Sequence, residues 1–188
     1  MTKEKLRSEI LQKTRTLPES YIVSASKRIT DSVLTSQLYK EAQTIFVYVS
    51  TSTEPDTRAI LEDAWRVGKA VYVPKCWRKP HMDAIRINGF HELAPGKLGI
   101  MEPISDTAAD ALSALDLAII PCVSASQDGR RLGHGAAYCD MFLTGLSVPK
   151  LCLCFDALLH SDIPMEDHDV WMDYVATENG IVDCCRDT

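Results

Sequence analysis

No stretch of this sequence holds enough consecutive apolar residues to cross a bilayer, and the amino terminus lacks the apolar core of a secretion signal. These absences lead us to expect a cytoplasmic protein with no membrane partner. Positive charge is also scarce: 20 Lys and Arg stand against 26 Asp and Glu, for a net charge of −6. A chain so charged has no broad electrostatic grip on nucleic acid, so any anion must be met by a local basic pocket. There is no C-x-x-C, and the seven cysteines are an odd number, so they read as reduced thiols. The five histidines have no ligand spacing relative to those cysteines, which leaves a zinc site without support. A Gly-Lys-Ser/Thr phosphate loop and a dinucleotide fingerprint are both missing. Repeats, low-complexity tracts and linkers are missing too. With 46% hydrophobic and 24% charged residues the composition is that of an ordinary globular protein. One domain over 1–188, working as a monomer, is the expectation.

What is present reads as alternating helix and strand. Leu6, Ile10 and Leu11 give residues 2–14 a narrow apolar stripe. Ile22, Ala25, Ile29 and Val33 recur at helical spacing after Pro18, which suits a first helical turn. The β-branched and aromatic run 44–50 predicts a buried strand. A polar turn over 51–56 follows, then a helix over 57–67 capped by Asp56 or Thr57 and stopped by Gly68, then a strand over 70–74. This order implies a βαβ unit, and ligands of open α/β sheets bind beyond the carboxyl ends of the strands. Further strands are expected at 84–87, 116–121 and 150–155, with a helix over 136–146 and a short strand near Tyr174. Residues 88–115 are turn-rich. Cys152 and Cys154 alternate along their strand and point to one face, as small buried hydrophobes do. Cys184 and Cys185 are expected on a frayed tail.

The unusual segment is Gly129-Arg-Arg-Leu-Gly-His-Gly135, between a strand and a helix. Glycines let backbone approach a ligand closely, and guanidinium groups favour phosphate or carboxylate oxygens. A solvated turn with arginines in water is the competing reading. Asp140 alone reads as an ordinary helix charge.

The ten residues Arg131-Leu-Gly-His-Gly-Ala-Ala-Tyr-Cys-Asp140 resemble the hallmark motif of the 5-formyltetrahydrofolate cyclo-ligases, or 5,10-methenyltetrahydrofolate synthetases. Collinear segments extend the resemblance from about Lys3 to Glu178: Lys3-x-x-x-Arg7, Ser50 to Thr57, His81-Met-Asp83, Gly99 to Pro103, Asp116 to Pro121 and His168 to Asp173. The resemblance implies an α/β fold with a largely parallel sheet flanked by helices, similar to the NagB/RpiA/CoA-transferase-like proteins. It also implies an ATP- and Mg²⁺-dependent ligase that converts 5-formyltetrahydrofolate, including its polyglutamates, to the 5,10-methenyl form. On it, Lys3, Arg7, Arg131, Leu132, Gly133, His134, Gly135 and Tyr138 are expected at ATP. Glu54, Met82, Gly135 and Tyr138 are expected at the folate. Arg131, Tyr138 and Asp140 are expected to be catalytic, with Asp140 also linked to Mg²⁺. Read from the residues alone, Lys3 and Arg7 are a solvated pair on one helix face and Met82 suits a core equally well.

The motif departs from its usual form at Ala136, Ala137 and Cys139, where relatives carry glycine or lysine, glycine, and tyrosine. Ser126 stands where an aspartate is usual, with Asp128 nearby. An alanine at 137 is costly if that position needs positive φ. A second reading therefore stays open, a non-catalytic relative that binds folate or nucleotide as a sensor or scaffold.

Overall fold

In a computed structural model, residues 1–96, 99–108 and 114–184 are described. A seven-stranded sheet organises them, in the order β11-β10-β9-β6-β1-β2-β3. Five strands are parallel: β1 (Thr44–Val47), β2 (Ala70–Cys76), β6 (Leu117–Pro121), β9 (Lys150–Leu153) and β10 (Tyr174–Thr177). The antiparallel edges are β3 (Met82–Ile87) and β11 (Gly180–Asp183), each the second arm of a hairpin. Leu117 to Ile120 are wholly buried, which explains why β6 reads as an unbroken apolar run and not as an alternating one. Two small hairpins lie outside the sheet: β4 (Leu93–Pro95) with β5 (Met101–Pro103), and β7 (Ser124–Ala125) with β8 (Arg131–Leu132).

The helices are α1 (Lys3–Thr14), α2 (Glu19–Thr35), α3 (Gln37–Glu41), α4 (Arg58–Arg66) and α5 (Tyr138–Leu143). α1 buries only Leu6, Ile10 and Thr14, so its place is set by polar contacts at its other faces. α2 buries Ala25, Ile29 and Val33, as their spacing predicted, and packs on α4 and β10. α4 joins β1 to β2 as the expected crossover. Thr57 stands at its N-cap position, but the Thr57 hydroxyl donates to Tyr48 O at 2.8 Å, and Asp56 Oδ1 accepts instead from Arg58 N at 2.9 Å.

Two expectations are corrected. The helix expected over 136–146 is only Tyr138–Leu143, because Ala137 adopts φ 59°, ψ 5° and no helix continues through a left-handed residue. The tail expected to fray is held in at Cys184: it is buried, and its backbone N donates to Asp173 O at 2.8 Å. Cys185 lies outside the described residues.

The sheet also fixes where a ligand can go. From β1 the chain runs outward to β2 and β3 on one side, and returns through β6 to β9 and β10 on the other. The carboxyl ends of β1 and β6 therefore flank the point where strand order reverses, the usual crevice of such sheets. Ala137→Gly should stabilise the protein by about 1 kcal/mol, since a left-handed non-glycine residue costs roughly 1–2 kcal/mol and glycine's extra chain entropy returns part of it. A shift of the urea midpoint to higher concentration at constant slope is the expected readout.

Candidate active site

A cleft of about 530 Å³ opens at this crevice, lined by Tyr48 and Val49 after β1, Pro74 and Cys76 of β2, Pro121 of β6, and the segment Gly133 to Asp140. Three loops and α1 build its walls.

The first loop follows β1. Tyr48 Oη donates to Pro55 O at 2.7 Å, and Thr57 N donates to Ser50 Oγ at 3.1 Å, so the turn is closed at both ends. Glu54 is presented from inside it. Its Oε2 accepts from Thr51 N and from Thr51 Oγ1, both at 2.8 Å, and its Oε1 lies 3.3 Å from His134 Nε2. Burial alone would raise the Glu54 pKa, but His134 and the two Thr51 donors outweigh it and hold the carboxyl below its usual 4.5. Glu54 is therefore a fixed, charged acceptor.

The second loop runs from the β7–β8 hairpin into α5. Arg131 is buried in it. Its Nη2 donates to Asp140 Oδ1 at 2.6 Å and its Nη1 to Pro121 O at 3.3 Å. Its Nε is the one buried side-chain polar atom that lacks a hydrogen-bond partner among the described residues. Burial disfavours its charge, but the Asp140 carboxylate hydrogen-bonded to it more than offsets this and pushes its pKa up. The glycines of this loop are needed where they stand. A Cβ at Gly133 would meet Arg131 Nη1 at 3.0 Å, and one at Gly135, where φ is +84°, would meet Arg7 Cζ at 3.2 Å. Arg7 Nε also donates to Gly133 O at 2.8 Å. Two guanidinium groups thus lie directly against the loop backbone.

The structure brings most of the expected residues together. Glu54, Met82, Arg131, Gly133, His134, Gly135, Tyr138 and Asp140 all line the cleft. Tyr138 Oη reaches Trp77 O at 3.5 Å, and Met82 is both buried and cleft-lining. Arg7 supports the loop from beneath. Leu132 does not line the cleft: it is buried in the core, and its carbonyl accepts from Val123 N at 2.8 Å. Lys3 does not line it either. Its ammonium is bound by Asp169 and lies 3.3 Å from Glu166 Oε2. Arg130 is turned elsewhere, pairing with Asp128 at 3.1 Å and stacking on Trp171.

Thr51, Glu102 and Arg15 are among the cleft residues that the sequence reading did not assign to the site. Thr51 anchors Glu54. Glu102 Oε1 accepts from Cys76 N at 3.4 Å across the mouth. Arg15 lines the cleft from just beyond α1. It was legible, since Arg7, Leu11 and Arg15 continue the Lys3–Arg7 row at four-residue steps. The two cleft thiols are neutral walls: burial pushes Cys76 up to about 11, and burial also raises Cys139 despite Arg131 beside it.

The cleft thus sets a fixed carboxylate beside a cation-backed glycine loop. A sequence model described as the 5-formyltetrahydrofolate cyclo-ligase family matches residues 1–178. The chain belongs to that family. Among its relatives, the 5-formyltetrahydrofolate cyclo-ligase of Mus musculus is 28% identical over 190 residues, covering 94% of each chain. The Escherichia coli K12 cyclo-ligase is 31% identical over 147 residues, covering 74% of this chain and 80% of its own. The solved structure of Aquifex aeolicus 5,10-methenyltetrahydrofolate synthetase shares the fold with a TM-score of 0.86 at 22% identity, over 100% of this chain and 95% of that one.

Two stability outcomes follow from the geometry. Asp140→Asn leaves the Arg131 charge buried without its counter-ion and should cost about 3 kcal/mol, read as a lowered urea midpoint. For Glu54, a lowered folded pKa means stability that is present above the unfolded value and lost as pH falls through the folded one. The wild type should therefore lose stability relative to Glu54→Gln as pH falls from neutral to below 4.5, measured by denaturation at each pH.

Proposed function

We propose that this chain catalyses the ATP-dependent ring closure of 5-formyltetrahydrofolate and its polyglutamates to 5,10-methenyltetrahydrofolate, with release of ADP and phosphate. The observation that carries the reading is one cleft that holds both Glu54 and the glycine loop backed by Arg7 and Arg131, in a member of this family. The formyl oxygen is a poor leaving group. Transfer of the γ-phosphoryl group to it makes phosphate the leaving group instead. N10 then attacks the formyl carbon, loses its proton, closes the five-membered ring and expels phosphate with the former formyl oxygen.

The chain's own residues mainly align and hold. Glu54 accepts from the N–H edge of the pterin, and Met82 and Tyr138 give that ring apolar surface. Arg131 and the backbone of Gly133 to Gly135 receive the triphosphate, with Arg7 fixing the loop. Asp140 is the one expected metal ligand in the cleft, and its Oδ1 is already held by Arg131. A single carboxylate of this kind fits Mg²⁺ that arrives on ATP, since Mg²⁺ takes one or two carboxylates plus phosphate oxygens. Bound there, the ion neutralises phosphate charge. Lys3 acts at a distance, by tying α1 to Glu166 and Asp169. Every group named comes from one chain, which suits a monomer.

The non-catalytic alternative rests on Ala136, Ala137 and Cys139. Ala137 nevertheless keeps the left-handed backbone that glycine would favour, so the loop retains its course, and the enzyme reading is the stronger. Purified protein with 5-formyltetrahydrofolate, ATP and Mg²⁺ should develop the near-ultraviolet absorbance of the methenyl product. Folded protein that binds the folate without any ATP-dependent signal would establish the non-catalytic reading. Within the enzyme reading, Glu54→Gln removes a charge-assisted hydrogen bond of about 1.5–3 kcal/mol and should lower kcat/KM roughly 10- to 100-fold. An unchanged value would remove Glu54 from the site.

A further inference from the structure

The two ends of the cleft meet at one side chain. His134 belongs to the glycine loop, yet its Nε2 lies 3.3 Å from Glu54 Oε1. The opposite oxygen of Glu54 is taken by the two Thr51 donors of its own turn. A ligand can therefore exchange for a partner of Glu54 only at Oε1, the oxygen His134 occupies. The pair is unequal. The Glu54 side chain is 11% exposed and the His134 side chain 51% exposed, so the carboxylate is fixed and the imidazole is the half that can swing away. The backbone on either side of it is held: Gly133 O accepts from Arg7 Nε, and Gly135 lies on the Arg7 guanidinium.

We infer that His134 is a positioning residue that couples the carboxylate end of the cleft to its phosphate end. In the empty cleft it holds Glu54 through Oε1. A ring bearing N–H donors takes that oxygen in its place and frees the imidazole toward the anionic phosphates. Phosphates that draw the imidazole away remove it from Oε1 in the same motion. Each ligand thus relieves a contact that opposes the other, and the assistance is equal in both directions. The inference rests on the reading of the cleft as a folate and ATP site. It adds that the two ligands assist each other, and that the imidazole of one loop residue carries the coupling.

The test is calorimetric titration of 5-formyltetrahydrofolate with and without a non-hydrolysable ATP analogue and Mg²⁺. In the wild type the analogue should tighten folate binding roughly 5-fold or more. In His134→Ala, folate alone should bind more tightly than to the wild type, and the analogue should change its affinity little. His134→Gln keeps a donor for Oε1 and should restore part of the coupling, which a merely structural role would not do. His134→Asn, too short to reach, should behave as the alanine variant. Equal ratios in wild type and His134→Ala, or a wild-type ratio of one, would overturn the coupling. A folded wild type that binds no 5-formyltetrahydrofolate overturns the functional reading itself.

Discussion

Arg131 is almost entirely buried and still charged, and the surrounding chain is arranged around that fact. Desolvating a guanidinium costs several kcal/mol unless its donors are met. Asp140 and Pro121 meet two of them, which ties β8 to the start of α5 and to the end of β6. Gly133 lets the backbone pass close over it, since a Cβ there would press on the same guanidinium. The chain turns over it, reverses at Ala137 and enters α5. One buried cation thereby sets the course of the loop that forms a wall of the cleft.

Much of this was legible in the sequence. The central strands β1 and β6 read as unbroken apolar runs because both faces are covered, and α2 read from its spacing because one face alone is buried. The glycine loop announced itself by composition. What escaped has physical causes. The two-residue strands of β7 and β8 are too short to show a period, and β4 and β5 sit in a stretch where turns dominate. α5 was drawn too long because alanine is the best helix former, and nothing local says that Ala137 is left-handed. Lys3 and Arg7 share a helix face, but the long-range partners that separate their roles, Asp169 for one and Gly133 for the other, leave no mark on spacing.

The charge balance also finds its place. An acidic chain presents a site suited to anions without a basic surface, since Arg7 and Arg131 stand against loop backbone and the cleft thiols stay neutral. Positive charge is concentrated where three elements converge, and it is balanced nearby by Asp140. The fixed Glu54 carboxylate stands in the same cleft as an acceptor beside that loop.

The first helix is made first and secured last. Lys3 is 166 positions away from Asp169, and Arg7 is 126 away from Gly133. On a ribosome adding 5–20 residues per second, α1 waits roughly ten to thirty seconds for the segment that anchors its first turn. Its buried apolar side chains are only two, Leu6 and Ile10, so its apolar hold until then is small.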